Sequence, residues 1–280
     1  MLVPFVHRIV RKHLTSQGIR SNRVQVGSTL LHYYEASPPN PRDTLVLVHG
    51  LGTSTSTWTH VLPELAKEYH VIAPDLPGFG FSLQRDGFMI HSIDDYVSTL
   101  HEFLGQALPK GFVLLGHSLG GWLTMKYAIQ QPQRVNHLIL VNTAGIYYKG
   151  SEELVDLFKV RSIRDTNNLL NRIWKRYPWY FRPFTPFVFE DLVRRKVPEI
   201  VAGIQEQDFM NSDLGRLWMP VDIIWGKADR LISVETVKVL TERLPARTVH
   251  FLEDSGHVPQ LERPREFLAI LQNILRNRVL

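Results

Sequence analysis

The sequence predicts an α/β fold: a mostly parallel, doubly wound sheet with a helical insertion. Three observations predict it. Short apolar runs bounded by Gly and Pro alternate along the chain with segments of helical length. The runs are apolar throughout, as suits parallel strands covered on both faces. One region, 146–219, breaks that rhythm and holds no strand-like run.

In chain order, residues 23–35 read as a two-stranded hairpin turned near Gly27-Ser28. Strands follow at 44–49, ending at Gly50, and at 70–74, ending in Asp75-Leu76-Pro77-Gly78. A run at 112–115 leads into Gly116, and one at 137–141 leads into Asn142-Thr143-Ala144-Gly145. The last two runs are 221–225, closed by Gly226, and 247–252. Helices are expected over 57–68, 93–106, 119–130, 234–244 and 265–276. The insertion is basic and aromatic. Residues 159–196 carry ten Lys or Arg against three acids, and 174–189 hold eight aromatics. It reads as mainly helical, with two readings of its aromatics: its own core and its contact with the sheet domain, or the lining of a lipophilic acyl pocket whose basic rim faces an anionic membrane.

The 280 residues suffice for one large domain with a smaller insertion. With 44% hydrophobic and 21% charged residues, disordered and fibrous classes drop out. The absence of cysteine excludes disulfides, thiolate metal sites and cysteine nucleophiles. The net charge of +5 is local: residues 1–34 hold five Arg or Lys and no acid. No nucleic-acid recognition motif accompanies that charge. No secretory signal pattern opens the chain and no apolar stretch reaches spanning length. The expectation is a soluble, intracellular protein, monomer or homodimer, with room for a peripheral contact on an anionic membrane.

The motif Gly116-His117-Ser118-Leu119-Gly120-Gly121 follows an apolar strand and opens a helix. A serine raised on such a sharp turn needs glycine two before and two after, because a Cβ at Gly116 or Gly120 crowds it. The same turn aims a helix N-terminus at the space above the hydroxyl. Ser118 is therefore the candidate nucleophile. A serine hydroxyl is weak until a base takes its proton. His257, in Ser255-Gly256-His257-Val258-Pro259, lies just past the last strand, at the same sheet end. The acid should follow a strand and precede the histidine, and Asp229 does both. Asp254 competes but stands only three residues from His257. Asp75 precedes Ser118 and is expected to brace a loop. His49, His117 and His250 read as structural, and His7, His13 and His91 as surface residues. Finally, Gly50-Leu51-Gly52 after the first parallel strand can aim the Leu51 N–H at a substrate oxygen, with the Leu119 N–H as second donor. A turn with glycines for sterics alone is the plainer reading of that loop.

With these residues in view, the sequence resembles the α/β-hydrolase family over nearly its whole length. The motifs are His-Gly-Leu-Gly at 49–52, Asp-Leu-Pro-Gly-Phe-Gly at 75–80, Gly-His-Ser-Leu-Gly-Gly at 116–121, Trp-Gly-Lys-Ala-Asp at 225–229 and Gly-His-Val-Pro-Gln-Leu-Glu-Arg-Pro at 256–264. Within the family it is most similar to capped carboxylesterases and monoacylglycerol lipases. The resemblance implies a core of 1–145 and 220–280 under a helical cap of 146–219. It also implies hydrolysis of apolar medium-chain acyl esters without metal or organic cofactor. Carbon–carbon hydrolases of meta-cleavage products are the nearest alternative. They usually carry Asn before the nucleophile and Trp after the histidine, where this chain has His117 and Val258. A ligand-binding member without turnover is the third reading.

Overall fold

A computed structural model describes residues 2–84, 92–108, 111–151, 153–245 and 247–277. His91 lies outside them. The sheet contains β1 (Arg20–Val26), β2 (Thr29–Ala36), β3 (Thr44–Val48), β4 (His70–Pro74), β5 (Leu83–Gln84), β6 (Phe112–His117), β7 (Val135–Val141), β8 (Val221–Gly226) and β9 (Arg247–Leu252). Its order is β1-β2-β4-β3-β6-β7-β8-β9, with β5 beside β2. The hairpin β1–β2 turns at Gly27-Ser28, where Val26 faces Thr29, and β2 joins β4 antiparallel. Every pair from β4 through β9 is parallel.

The helices are α1 (Leu2–Ser16), α2 (Leu62–Leu65), α3 (Ile93–Ala107), α4 (Leu119–Gln130), α5 (Glu153–Phe158), α6 (Ile163–Ile173), α7 (Thr185–Arg194), α8 (Val197–Ala202), α9 (Glu235–Arg243), α10 (Pro259–Glu262) and α11 (Pro264–Arg276). Both faces of the parallel strands are apolar and covered. Along β3, Val46 and Val48 join the core under α3 and α4, while Leu45 and Leu47 join the core under α2 and α11. The period-2 geometry of a strand sends neighbours to opposite faces, so a strand buried twice must be apolar at every position.

Three differences from the sequence reading have physical causes. The helix expected over 57–68 is two short pieces, a 3₁₀ turn at Thr55–Trp58 and α2. Pro63 sits in the first turn of α2, where its missing N–H costs nothing, and it starts a new helix instead of extending the old one. The N-terminal residues form α1, which the sequence reading leaves without an element. Leu14 of α1 is fully buried, whereas Phe5, Val6 and Ile9 are exposed. Third, five of the eight aromatics at 174–189 stay outside the core, and the other three are half-buried. Trp179, Tyr180, Phe181, Phe184 and Phe187 are all exposed, Trp179 at 79%. Between β7 and β8 the chain is helical, as expected, with α5, α6, α7 and α8 and no strand among the described residues.

The order of strands places two chain ends side by side. β3 lies between β4 and β6, so the winding direction reverses at the β3–β6 pair. Loops leaving the carboxyl ends of two such strands diverge and open a crevice, which is where ligands bind in open α/β sheets.

Candidate active site

The two loops at that crevice are the ones carrying Leu51 and Ser118. Ser118 stands between β6 and α4 with φ 54° and ψ −121°, a strained conformation for a residue with a Cβ. Its backbone is pinned on both sides. Its N–H donates to Val141 O at 3.0 Å, and its carbonyl accepts from Gly121, Trp122 and Ala144. The turn tolerates nothing larger than glycine nearby. A Cβ on Gly116 would overlap Gly120 O and Thr124 Oγ1, and one on Gly120 would overlap the carbonyls of Val48 and His49. Gly50 lies across the crevice, where an added Cβ would come within 3.0 Å of Ser118 Cβ and of His117 Nδ1. A Cβ on Gly52, whose φ is +70°, would come within 3.0 Å of Leu192 on α7. Among the described residues no acceptor stands opposite the N–H of Leu51 or Leu119. Leu119 opens α4, so its N–H has no partner within the helix.

Asp229 and His257 come together. His257 Nδ1 lies 2.8 Å from Asp229 Oδ2, and both side chains are buried. A ring nitrogen facing a carboxylate carries the proton, so Nδ1–H donates and Nε2 keeps its lone pair. Asp229 is held by three further donors. Asn142 Nδ2 reaches its Oδ2 at 2.7 Å, and the N–H groups of Leu231 and Ile232 reach its Oδ1 at 2.8 and 3.0 Å. A carboxylate satisfied this fully stays aimed at one partner. Asp254 is not that partner. It pairs with Lys175 and Arg263 at the surface.

The histidine loop is tied to its surroundings at several points. His257 N–H donates to Ile173 O at the end of α6, at 2.8 Å. Glu262 accepts from the N–H of Gly256 and of Lys175, each at 2.8 Å, and burial raises its pKa. His117, the neighbour of Ser118, donates from Nε2 to His257 O at 2.8 Å, and the two rings lie 4.9 Å apart. Burial, reinforced by the nearby His257, pushes the pKa of His117 well below the ordinary histidine value. Ser118, Asp229 and His257 thus sit on three loops at the carboxyl ends of β6, β8 and β9, knit together through His117 and Asn142.

The loop after β4 is braced as the sequence suggests. Buried Asp75 accepts from Thr55 N–H at 2.8 Å, Phe81 N–H at 2.9 Å and His32 Nδ1 at 2.8 Å. Burial opposes that charge, yet the bond and charge of His32 prevail and hold the carboxyl at about 2. His49 accepts the Leu76 N–H on Nε2 and donates from Nδ1 to Gly50 O, each at 2.8 Å, which ties this brace to the Leu51 loop. Burial lowers the pKa of His49 to about 4. His137 and His250 are structural in another way. Their Nε2 atoms flank Asp222, near the amino end of β8, at 2.7 and 2.6 Å. His13 is exposed, but His7 is not a plain surface residue. It is half-buried, with Nε2 at 3.3 Å from Ser54 Oγ and its ring against Phe81.

Sequence reasoning assigns no role to Asn142 or Glu262. The available signal for Asn142 was an Asn directly after an apolar strand, since Asn is among the few side chains that accept positive φ, here 41°. Glu262 offers no such signal, because its partners are backbone groups brought together by the fold.

A fold of this topology with a strained serine between strand and helix, and a buried Asp–His pair past the last strands, defines an α/β hydrolase. The sequence profile of the alpha/beta hydrolase family matches residues 45–270, and the chain belongs to that family. Among its relatives, the monoacylglycerol lipase abhd6-B of Xenopus laevis is 24% identical over 92% of this chain and 82% of its own. The 2-hydroxy-6-oxo-2,4-heptadienoate hydrolase of Pseudomonas putida is 27% identical over 90% and 95%. The crystal structure of a membrane phospholipase A, a bacterial virulence factor, superposes with a TM-score of 0.86 at 27% identity, covering 99% of this chain and 94% of that one.

Proposed function

We propose that the protein is a serine carboxylic-ester hydrolase that works through an acyl-enzyme on apolar acyl esters, monoacylglycerols among them. His257 Nε2 takes the proton of Ser118 Oγ as the oxygen attacks the ester carbonyl. The resulting oxyanion receives the N–H groups of Leu51 and Leu119, each typically worth about 3 kcal/mol to the barrier. The imidazolium, held by Asp229, gives the proton to the departing alcohol and leaves the acyl group on Ser118. Water then attacks that acyl group with His257 again as base, releasing the acid and restoring the serine hydroxyl.

The observation that carries this reading is the buried Asp229–His257 pair at 2.8 Å, at the sheet end where Ser118 is strained. A binding protein has no use for an imidazole oriented in this way. The name of the monoacylglycerol lipase relative supports an ester substrate. The name of the heptadienoate hydrolase relative favours a second reading, cleavage of a carbon–carbon bond by the same three side chains. His117 and Val258 weigh against it.

Hydrolysis of p-nitrophenyl esters from C2 to C16 tests the proposal. Wild-type turnover reduced by on the order of 10⁶ in Ser118→Ala establishes it. Equal rates in both proteins overturn it. Absence of ester turnover together with hydrolysis of a vinylogous diketone moves the assignment to the second reading.

A further inference from the structure

A cavity whose lining includes none of Ser118, Asp229 and His257 lies between α1, the loop that follows β4 and the corner joining α7 to α8. Its volume is about 390 Å³. Arg8 comes from α1, Arg23 from β1, and Arg194, Arg195 and Lys196 from the corner, and no acid stands among the described residues that line it.

These cations are not equivalent. Arg194 and Arg195 both pair with Asp191, and Arg195 also donates to Gly78 O while its guanidinium lies 5.6 Å from the Phe79 ring centroid. They close the corner. Arg8, Arg23 and Lys196 are exposed, and among the described residues none of them has an acidic partner. Lys196 is held out by the backbone, with φ 54° in the left-handed region between the two helices. Three uncompensated positive charges around one concavity form a field that attracts a small anion. Guanidinium groups match phosphate oxygens in particular.

The rim indicates where that phosphate comes from. α1 packs its inner face through Leu14, His7 and Arg11, the last lying over the Phe81 ring at 4.9 Å. Its outer face shows Phe5, Val6 and Ile9 to solvent. Leu83 on the cavity wall and Val193 beside the corner are exposed as well. Apolar side chains left uncovered around a basic cavity suit an interface with acyl chains below and anionic headgroups above.

We propose that this cavity is a binding site for the phosphate headgroup of an anionic lipid, with Arg8, Arg23 and Lys196 as its ligands and the outer face of α1 entering the bilayer beside it. The site lies outside the hydrolytic machinery and stands whether or not the ester assignment holds.

Flotation with vesicles of phosphatidylcholine, alone or with phosphatidic acid, tests it on the intact chain. Wild type is expected to bind the acidic vesicles and not the neutral ones. The triple variant Arg8→Gln, Arg23→Gln, Lys196→Gln is expected to bind them about 100-fold more weakly, because each such cation near an anionic surface contributes roughly fivefold. Turnover of p-nitrophenyl acetate, where wild type shows it, and the unfolding midpoint should be unchanged in the triple variant. Phe5→Ser with Ile9→Ser should weaken vesicle binding while leaving the cations intact. Equal binding to neutral vesicles overturns the proposal, as does a triple variant that floats like wild type. Calorimetry with inorganic phosphate supplies the other source: saturable phosphate binding that needs the three cations, without vesicle binding, assigns the cavity to a soluble phosphate and overturns the lipid.

Discussion

Asn142 and Asp229 meet side chain to side chain at 2.7 Å, while the other end of Asn142 accepts the N–H of Gly226 at 3.1 Å. Asn142 therefore fixes the acid against the strand end from which it departs. Its φ of 41° shows that the backbone accepts some strain to place that amide. Replacement by glycine removes the amide and relieves the strain, so the two effects separate. Asn142→Gly is expected to lower kcat for ester hydrolysis by about 10- to 100-fold, as fits a lost hydrogen bond to a buried charge. KM should stay within about twofold, because the side chain reaches Asp229 and not the substrate. Steady-state kinetics with an unchanged kcat would separate Asn142 from the chemistry.

Gly226 tests the histidine loop by sterics alone. A Cβ there would overlap Gly256 O and crowd Ser255 O, the two residues directly before His257. Backbone cannot yield as a flexible side chain does, so the loop must shift. Gly226→Ala should cost on the order of 100-fold in kcat/KM, since displacements of about 1 Å carry penalties of that size. The elbow at Ser118 is left in place, so a fluorophosphonate should still label the variant, only more slowly. Normal kinetics in Gly226→Ala would show that the loop has freedom the packing does not suggest.

Two carboxylates, the buried Asp75 and the half-buried Asp222, set the acid limit of the fold. Asp75 and Asp222 are both held at about 2, each against the opposing pull of its own burial. A carboxyl depressed in the folded state stabilises it above the unfolded value, and that stabilisation disappears as pH falls through the folded value. The loss therefore falls between about pH 4 and pH 2, on the order of 2 kcal/mol for Asp75 and less for Asp222, whose pairing solvent screens in part. Urea midpoints followed across that range should drop steeply in wild type. In Asp75→Asn and Asp222→Asn they should start lower and fall less steeply. A variant with the wild-type slope would show that its carboxyl does not drive acid unfolding.

How much of this was legible in the sequence depends on the range of the interactions involved. The parallel strands could be read because burial on both faces writes itself into every residue of a run such as Thr44–Val48. The placement of Ser118, Asp229 and His257 at one sheet end could be read because each lies in the segment that follows a parallel strand, β6, β8 and β9 respectively. The identity of the acid partner needed only the chain order, and Asp229 rather than Asp254 meets the ring. α1 was hidden because its apolar residues serve two surfaces, Leu14 toward the core and Phe5, Val6 and Ile9 toward solvent. The exposed aromatics at 179–187 left two readings open for a related reason: composition says that a side chain is apolar, but not what covers it. Glu262 was invisible because its partners, the N–H groups of Gly256 and Lys175, exist for it only once the insertion folds over the loop.

His117 and His49 add an earlier acid phase that precedes the carboxylates. Burial depresses both, His49 to about 4 and His117 well below the ordinary value. The unfolded chain takes up protons near pH 6.5 that the folded chain refuses, so stability falls as pH drops below that value. Each refused proton contributes a slope of about 1.4 kcal/mol per pH unit. His117→Gln keeps a donor for the His257 carbonyl but cannot titrate. It should therefore remove one such slope below pH 6.5 while retaining much of the wild-type activity at pH 7.5. In wild type, nitrogen shifts of His117 should report a neutral ring with its proton on Nε2 at pH 6.5, the tautomer that the 2.8 Å contact with the His257 carbonyl requires. A His117 ring that titrates near 6.5 in the folded protein would mean that the His117–His257 contact opens in solution, and the Ser118 and His257 loops would then be coupled less tightly than the packing indicates.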